Sequence, residues 1–397
     1  MRDALLGLAH LDWDLATSAT PTEVRKLFRR TVPVGIEFGT IGVLDRDGRM
    51  HEVTTFRHDV QTDGRHAVVA FGASLDEDLA RRDFTINAIA YDPIAKTLRD
   101  PFDGQGDLAR GVVRAVGVAD ERMREDRLRA LRAIRFASRF GFSLDDHTWA
   151  AIVASAPFLT RLSPERVKQE LEKTMEQAPA PSVAFARWRD AGAFTALIPA
   201  LAAVTDGDLA AIDALPRPTL PARPLRLPLR IAALFSALNG RDAEAALRAL
   251  RFSNQQITVV SSLVERWDRH GAELTQRLRT QQLPDDAALR RLAASVGRLR
   301  VAGFVRLAAA RWAHDAAIPP ALVRTLYRRL TAIAFRDPIE IADLAVDGDD
   351  LRRAGVGPGP ALGRILQQLV DWVVEDPARN APERLLAQVQ ILQRTAG

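Results

Sequence analysis

Apolar and polar positions follow two different rhythms along this chain. Up to about Asp107, short β-like runs alternate with turn formers: Asp12 to Ala16, Thr40 to Leu44, His51 to Phe56 and Ala67 to Phe71 read as strands. Between the second and third lies Asp45-Arg46-Asp47-Gly48-Arg49, which reads as a hairpin connection because Asp and Gly supply the local hydrogen bonds and positive φ that a tight turn needs. From Glu121 onward the period changes, and Leu128, Leu131, Ile134 and Phe140 recur at helical spacing with Arg and acidic residues between them. Strands first and helices afterwards predict an α+β fold: a small mixed head followed by an all-helical remainder.

Two stretches punctuate the helical part. Leu215 to Leu229 carries Pro216, Pro218, Pro221, Pro224 and Pro228, too many for a helix interior, and predicts a connection. Gly355-Val356-Gly357-Pro358-Gly359-Pro360 predicts one helix ending at Gly and another opening with Pro in its first turn, capped on its own or turned toward an RNA phosphate. With 397 residues the chain exceeds a single core, and two to four domains are expected. The absence of Cys excludes disulfides and thiolate metal sites and fits a reducing compartment. No apolar run reaches the roughly 18 residues of a membrane span, and Met1-Arg2-Asp3 does not open a signal peptide. A soluble, cytoplasmic protein is therefore expected. The formal charge of +5 rests on Arg, since Lys occurs only at 26, 96, 168 and 173. The planar guanidinium suits phosphates and base edges, although a GC-rich genome accounts for the bias equally well.

Three acids carry the first chemical signal. Asp12 and Asp14 flank Trp13, and on a strand positions i and i+2 leave one face together. Two such carboxylates repel unless a hard cation, Mg²⁺ above all, sits between them. Glu52, in the middle of a later β-like run, is a candidate third carboxylate or a solvent-facing edge residue. Three acids around two Mg²⁺ ions is the arrangement that nucleotidyl transfer uses. The densest cluster follows in Arg81-Arg82-Asp83-Phe84-Thr85-Ile86-Asn87-Ala88, where Arg can donate to phosphates while Asp83 and Asn87 hold a ribose hydroxyl.

This cluster resembles the R-R-D-F-T-x-N-A motif of the class II CCA-adding enzyme and bacterial poly(A) polymerase family, which binds the ribose. Further resemblances follow in order. Asp100 to Leu108 is similar to the family's hinge between head and neck. Glu125-Asp126-Arg127-Leu128-Arg129 resembles the E-D-x-x-R motif that selects nucleotides with amino acids, and Arg166-Val167-Lys168-Gln169-Glu170-Leu171 resembles the motif that braces it. Arg57 to His66 is similar to the flexible loop required for the switch to ATP, and Ala345 to Leu351 with the glycine-proline run after it looks like the C-terminal signature of CCA-adding enzymes lacking a phosphohydrolase domain. Asp126 and Arg129, three apart, are expected on one helix face. A carboxylate beside a guanidinium matches the amino donor and ring-nitrogen acceptor of cytosine or adenine and mismatches uracil and guanine.

The resemblance implies a nucleotidyltransferase head (1–110), a neck with the nucleotide-selecting helix (111–172), a helical body (173–265) and a helical, tRNA-binding tail (266–397). It implies Asp12 and Asp14 as metal ligands with Glu52 in support, Arg2, Arg82, Asp83, Asn87, Asp126 and Arg129 as nucleotide contacts, and Mg²⁺ as cofactor. Its partners would be CTP, ATP and the acceptor and TΨC arms of tRNA, with the protein a monomer or homodimer. One departure stands out. Family heads open with a strand and a Gly-Gly-x-V-R-D turn, of which only Arg2 and Asp3 have counterparts here. The first strand is expected to be missing, through a start placed downstream of the true one or through degeneration. Poly(A) synthesis, CC-only addition and a catalytically silent RNA-binding role stand as rivals to CCA addition.

Overall fold

The computed structural model describes residues 1–9, 13–62, 67–218 and 223–396, and falls into two compact units, Met1–Ala203 and Val204–Gly397. The first opens with α1 (Arg2–Leu5), β1 (Leu15–Thr17), α2 (Pro21–Leu27), β2 (Thr31–Gly35), β3 (Thr40–Leu44) and β4 (Met50–Thr55). Thr20 and Glu23 cap α2 reciprocally, and Pro21 sits in its first turn, where no intrahelical donor is lost. The sheet runs β1-β4-β3-β2, with β1 parallel to β4 and the other pairs antiparallel. The β3–β4 turn lies where the Asp/Gly run predicts it: the Asp45 carboxylate accepts from the backbone N–H of Asp47 and Arg49, each at 2.9 Å, and Gly48 adopts a φ of 80°.

Strand alternation sends Ile41, Val43 and Val53 to one face, where they pack with Val24 of α2. Glu52, between Val53 and His51, leaves by the opposite face. β1 is shorter than expected, so Asp14 immediately precedes it and Asp12 lies outside the described residues. β2 was not foreseen because it contains Pro33, which a sheet tolerates at an edge, and β2 is an edge strand. Within the stretch expected as the flexible loop, Arg57–Thr62 forms β5, paired antiparallel with β6 (Ala67–Phe71), and residues 63–66 lie outside the described residues.

The rest of the first unit contains α3 (Leu75–Ala80), β7 (Ala90–Asp92), β8 (Thr97–Arg99), α4 (Gly104–Arg110), β9 (Val112–Val113), α5 (Ala119–Glu125), α6 (Leu128–Phe140), β10 (Ser143–Leu144), α7 (Asp146–Ser155), α8 (Pro164–Gln177), α9 (Pro181–Asp190) and α10 (Ala193–Leu197). Leu128, Leu131 and Ile134 are buried along α6, which packs against α8 and α9 and ends where Gly141 takes a φ of 72°.

The second unit is helical: α11 (Asp206–Asp213), α12 (Arg226–Phe235), α13 (Gly240–Ala249), α14 (Asn254–Arg279), α15 (Asp286–Val296), α16 (Val301–Trp312), α17 (Pro320–Arg336), α18 (Gly348–Arg353), α19 (Pro360–Glu375) and α20 (Pro382–Ala396). The proline-rich connection ends earlier than Leu229, because Pro228 falls in the first turn of α12, where the helix needs no donor from it. α19 opens on Pro360, as the glycine-proline run predicts. The expected divisions at 172/173 and 265/266 fall inside α8 and α14, continuous helices, and the compact units instead part at 203/204. Among the described residues no helix is long and apolar enough to cross a membrane.

Candidate active site

The Arg81 to Ala88 segment is held by its backbone before any side chain acts. Thr85 N–H donates to the Arg114 carbonyl at 2.9 Å, Val116 N–H donates to the Asp83 carbonyl at 3.2 Å, and Phe84 bridges Ala115. Phe84 is fully buried, edge-on to Phe136 of α6 at 5.9 Å, which is worth about 1.5–3 kcal/mol of burial. On the other side the Thr85 hydroxyl donates to buried Asp107 of α4 at 2.6 Å. Gly104 lies so close that a Cβ there would stand 2.2 Å from the Thr85 carbonyl oxygen. The segment is thus clamped between α4, the Arg114 to Val116 stretch after β9, and α6.

Side chains then link the expected site residues. Asn87 Nδ2 donates to Asp83 Oδ1 at 2.8 Å, and the Arg2 guanidinium donates to Asn87 Oδ1. Arg2 lies over the rings of Phe136 and Phe140, 4.7 and 4.9 Å from their centroids. Arg82 has the longest contacts, 3.3 Å to Asp78 and 3.5 Å to the Asn87 carbonyl, and its side chain is 34% exposed. It therefore keeps donors for a phosphate. Asp83 is fully committed: Oδ1 accepts from Asn87 and from Phe84 N–H at 2.9 Å, and Oδ2 accepts from Arg132 Nε and Nη2 at 2.9 and 2.7 Å. Burial alone would raise its pKa, yet Arg132 and the Asn87 amide hold it below the ordinary carboxylate range. With four acceptor positions filled, Asp83 orients Asn87 and Arg132. The direct ribose contact expected of it needs one of those bonds displaced, while Asn87 retains an N–H and a lone pair.

Arg132 belongs to a ladder that the sequence reading missed. Along α6, Arg129, Arg132, Arg135 and Arg139 engage Glu125, Asp83, Glu170 and Asp3 at 2.6, 2.7, 2.6 and 2.7 Å. These acids come from α5, the motif loop, α8 and α1, so one helix ties four segments together. The signal was present as Arg recurring every three or four residues, which puts one side of the helix in charge. Nothing in the sequence says which acid each Arg meets.

The selecting pair is arranged differently from expectation. Asp126 is not on a helix face with Arg129; it occupies the extended break between α5 and α6, with φ −146° and ψ 105°. It receives Leu128 N–H at 3.0 Å, as a capping acid does, and Arg166 of α8 at 2.7 Å. Arg129 pairs with Glu125 and donates through Nη2 to the Arg81 carbonyl at 3.0 Å. Arg166 therefore braces Asp126 directly. The Arg129 guanidinium retains its Nε–H and one Nη2–H for a ligand.

Asp14 is exposed just ahead of β1. β1 pairs with β4 through Leu15 and Val53, and one residue further back the same register sets Asp14 beside Glu52. Asp14 and Arg82 both lie within electrostatic reach of the Met1 amino group, whose pKa is lowered, chiefly by burial and then by Arg2. Two carboxylates at neighbouring strand positions supply hard oxygen donors of the kind Mg²⁺ takes. Among the described residues no group of three acids or histidines gathers as a metal site, and Asp12, the expected third member, is outside them.

Comparison with known proteins gives this geometry a context. Three family models match in order: "Poly A polymerase head domain" over residues 1–114, "Probable RNA and SrmB-binding site of polymerase A" over 141–205, and "tRNA nucleotidyltransferase domain 2" over 229–389. The CCA-adding enzyme of Geobacillus kaustophilus (strain HTA426) is 36% identical over 398 residues, covering 100% of this chain and 92% of that protein. The chain belongs to the CCA-adding enzymes. The crystal structure of the Bacillus stearothermophilus CCA-adding enzyme in complex with CTP superposes with a TM-score of 0.72 at 33% identity, covering 100% of this chain and 92% of that one. The Thermotoga maritima CCA-adding enzyme complexed with tRNA shares the fold, with a TM-score of 0.64 at 20% identity over 99% of this chain and 89% of that one. This CCA-adding enzyme is accordingly a tRNA nucleotidyltransferase with a mixed head sheet and a largely helical remainder.

Proposed function

We propose that this chain builds or repairs the 3′-terminal CCA of tRNA from CTP and ATP without a nucleic-acid template. The observation that carries the proposal is the single connected network joining Arg2, Asn87, Asp83 and Arg132, with Arg129 bound to the backbone of the same motif. Arg82, with donors to spare, meets the triphosphate, and Asn87 uses its remaining N–H and lone pair on the ribose. The Asp126 carboxylate accepts from the exocyclic amine of cytosine or adenine, and Arg129 donates to the neighbouring ring nitrogen. Uracil and guanine would face acceptor with acceptor and donor with donor, which discriminates by several orders of magnitude.

Asp12 and Asp14 would hold Mg²⁺ with Glu52 in support, supplying charge neutralisation at the attacking hydroxyl and at the leaving pyrophosphate. The tRNA 3′-hydroxyl attacks the α-phosphate in line, and the protein contributes chiefly position and charge. The second unit would read the acceptor and TΨC arms through shape and backbone.

The test incubates tRNA lacking CCA with labelled CTP and then ATP. The wild-type chain adds two C and one A. Glu52→Gln lowers kcat by at least about tenfold with the melting temperature unchanged, and Asp126→Asn raises UTP incorporation relative to CTP. Incorporation of ATP alone would assign the chain to poly(A) synthesis, and a Glu52→Gln enzyme as fast as wild type would remove Glu52 from the site.

A further inference from the structure

In the first unit most arginines around the selecting segment have an acid: Arg122 and Arg129 share Glu125, Arg132 has Asp83, and Arg166 has Asp126. Three do not. Arg124 of α5, Arg127 at the head of α6 and Arg161 in the turn before α8 form no ion pair among the described residues, although fixed cations side by side repel one another. Two of them converge on one ring: the Arg127 and Arg161 guanidinium carbons lie 4.6 and 5.2 Å from the centroid of Phe158, which is 40% exposed. Arg127 is fixed by a 3.1 Å hydrogen bond to the Ser155 hydroxyl. Its pKa is lowered by burial and then by Arg161 and Arg124, so the groups feel each other's charge. Glu125 and Asp126, the acids nearest in sequence, are already committed to other arginines.

Two guanidiniums over an open aromatic ring, with a third unpaired one on α5, suit a flexible polyanion that also carries flat bases, and Arg127 stands one residue beyond Asp126. We propose that Arg127 and Arg161, gathered at Phe158, together with Arg124 of α5, bind phosphates of the single-stranded 3′ end of the tRNA and so hold the primer beside the selecting segment. The proposal rests on the tRNA reading above. It also agrees with Phe158 and Arg161 lying in the part of the chain that matches an RNA-binding family model. These are positioning residues, acting on where the primer lies and not on the bond that forms.

The experiment measures direct binding of tRNA lacking CCA to the full chain at several salt concentrations, alongside KM for CTP. Arg124 and Arg161 are exposed and unpaired, so Arg124→Gln/Arg161→Gln removes two charges without disturbing the core. Affinity for tRNA should fall roughly tenfold, and the slope of log affinity against log salt should become shallower by about 1.4. KM for CTP should stay within about twofold, and Arg124→Lys/Arg161→Lys should recover most of the affinity. Unchanged tRNA affinity and salt slope would overturn the proposal. So would a loss confined to KM for CTP, which would give the cluster to the triphosphate. Because binding is read without turnover, a wild-type chain that bound tRNA but incorporated no CTP would fail the activity assigned above while leaving this question answerable.

Discussion

Removing Arg132 should cost more than removing the acid it serves. The Asp83 side chain is 10% exposed and the Arg132 side chain 31%. In Arg132→Met the carboxylate keeps Asn87 and Phe84 N–H but loses its cation. Breaking a buried pair costs about 3–5 kcal/mol, and the partial exposure of Arg132 puts the expectation near 3. In Asp83→Asn the orphan is Arg132, which reaches water and stands 4.0 Å from Glu170, so the cost should be about 1–2 kcal/mol. The double variant Asp83→Asn/Arg132→Met should recover at least about 1 kcal/mol relative to the sum of the two. Both units contain Trp, so whole-chain fluorescence mixes them. Amide hydrogen exchange of α6 isolates the first unit, where about 3 kcal/mol appears as roughly hundredfold faster exchange. Asp83→Asn costing as much as Arg132→Met, or a cycle that is simply additive, would refute the reasoning.

Asp83 also predicts a pH dependence. Its folded pKa is lowered, so its contribution is complete above the unfolded value of about 3.9 and is lost as pH falls through the folded one. Asp83→Asn should therefore show a shallower acid limb below about pH 4 in urea titrations, and an unchanged limb would contradict the assignment. Two helical glycines of α4 should respond oppositely to Ala. Gly104→Ala drives a Cβ into the Thr85 backbone and should cost at least about 2–3 kcal/mol, whereas the atoms nearest a Cβ at Gly106 belong to the exposed Asp103 carboxylate, which can shift, and Gly106→Ala should stay within about 1 kcal/mol, as thermal melts would show. Thr85→Val leaves Asp107 without its hydroxyl donor and should lower stability by about 1–3 kcal/mol without altering base choice, measured as the ratio of CTP to UTP incorporation.

The amino-acid sequence by itself determined the order of elements. Strand alternation in Thr40 to Leu44, the Asp/Gly turn and the helical spacing from Leu128 are local properties, fixed by which face of a short element must avoid water. The Arg81 to Ala88 cluster was legible as a unit because its residue types are unusual together, and the structure joins Asp83 and Asn87 within it. What lay beyond sequence was pairing at a distance. That Arg132 meets Asp83, Arg166 meets Asp126 and Arg139 meets Asp3 depends on how α6 and α8 pack, since a guanidinium on a helix is equally suited to any acid brought within 3 Å. The same holds for Asp126, which spacing alone put on a helix face with Arg129. The helix breaks there and the carboxylate meets Arg166 of α8, and a break of two residues between two helices leaves little trace in a periodicity of 3.6.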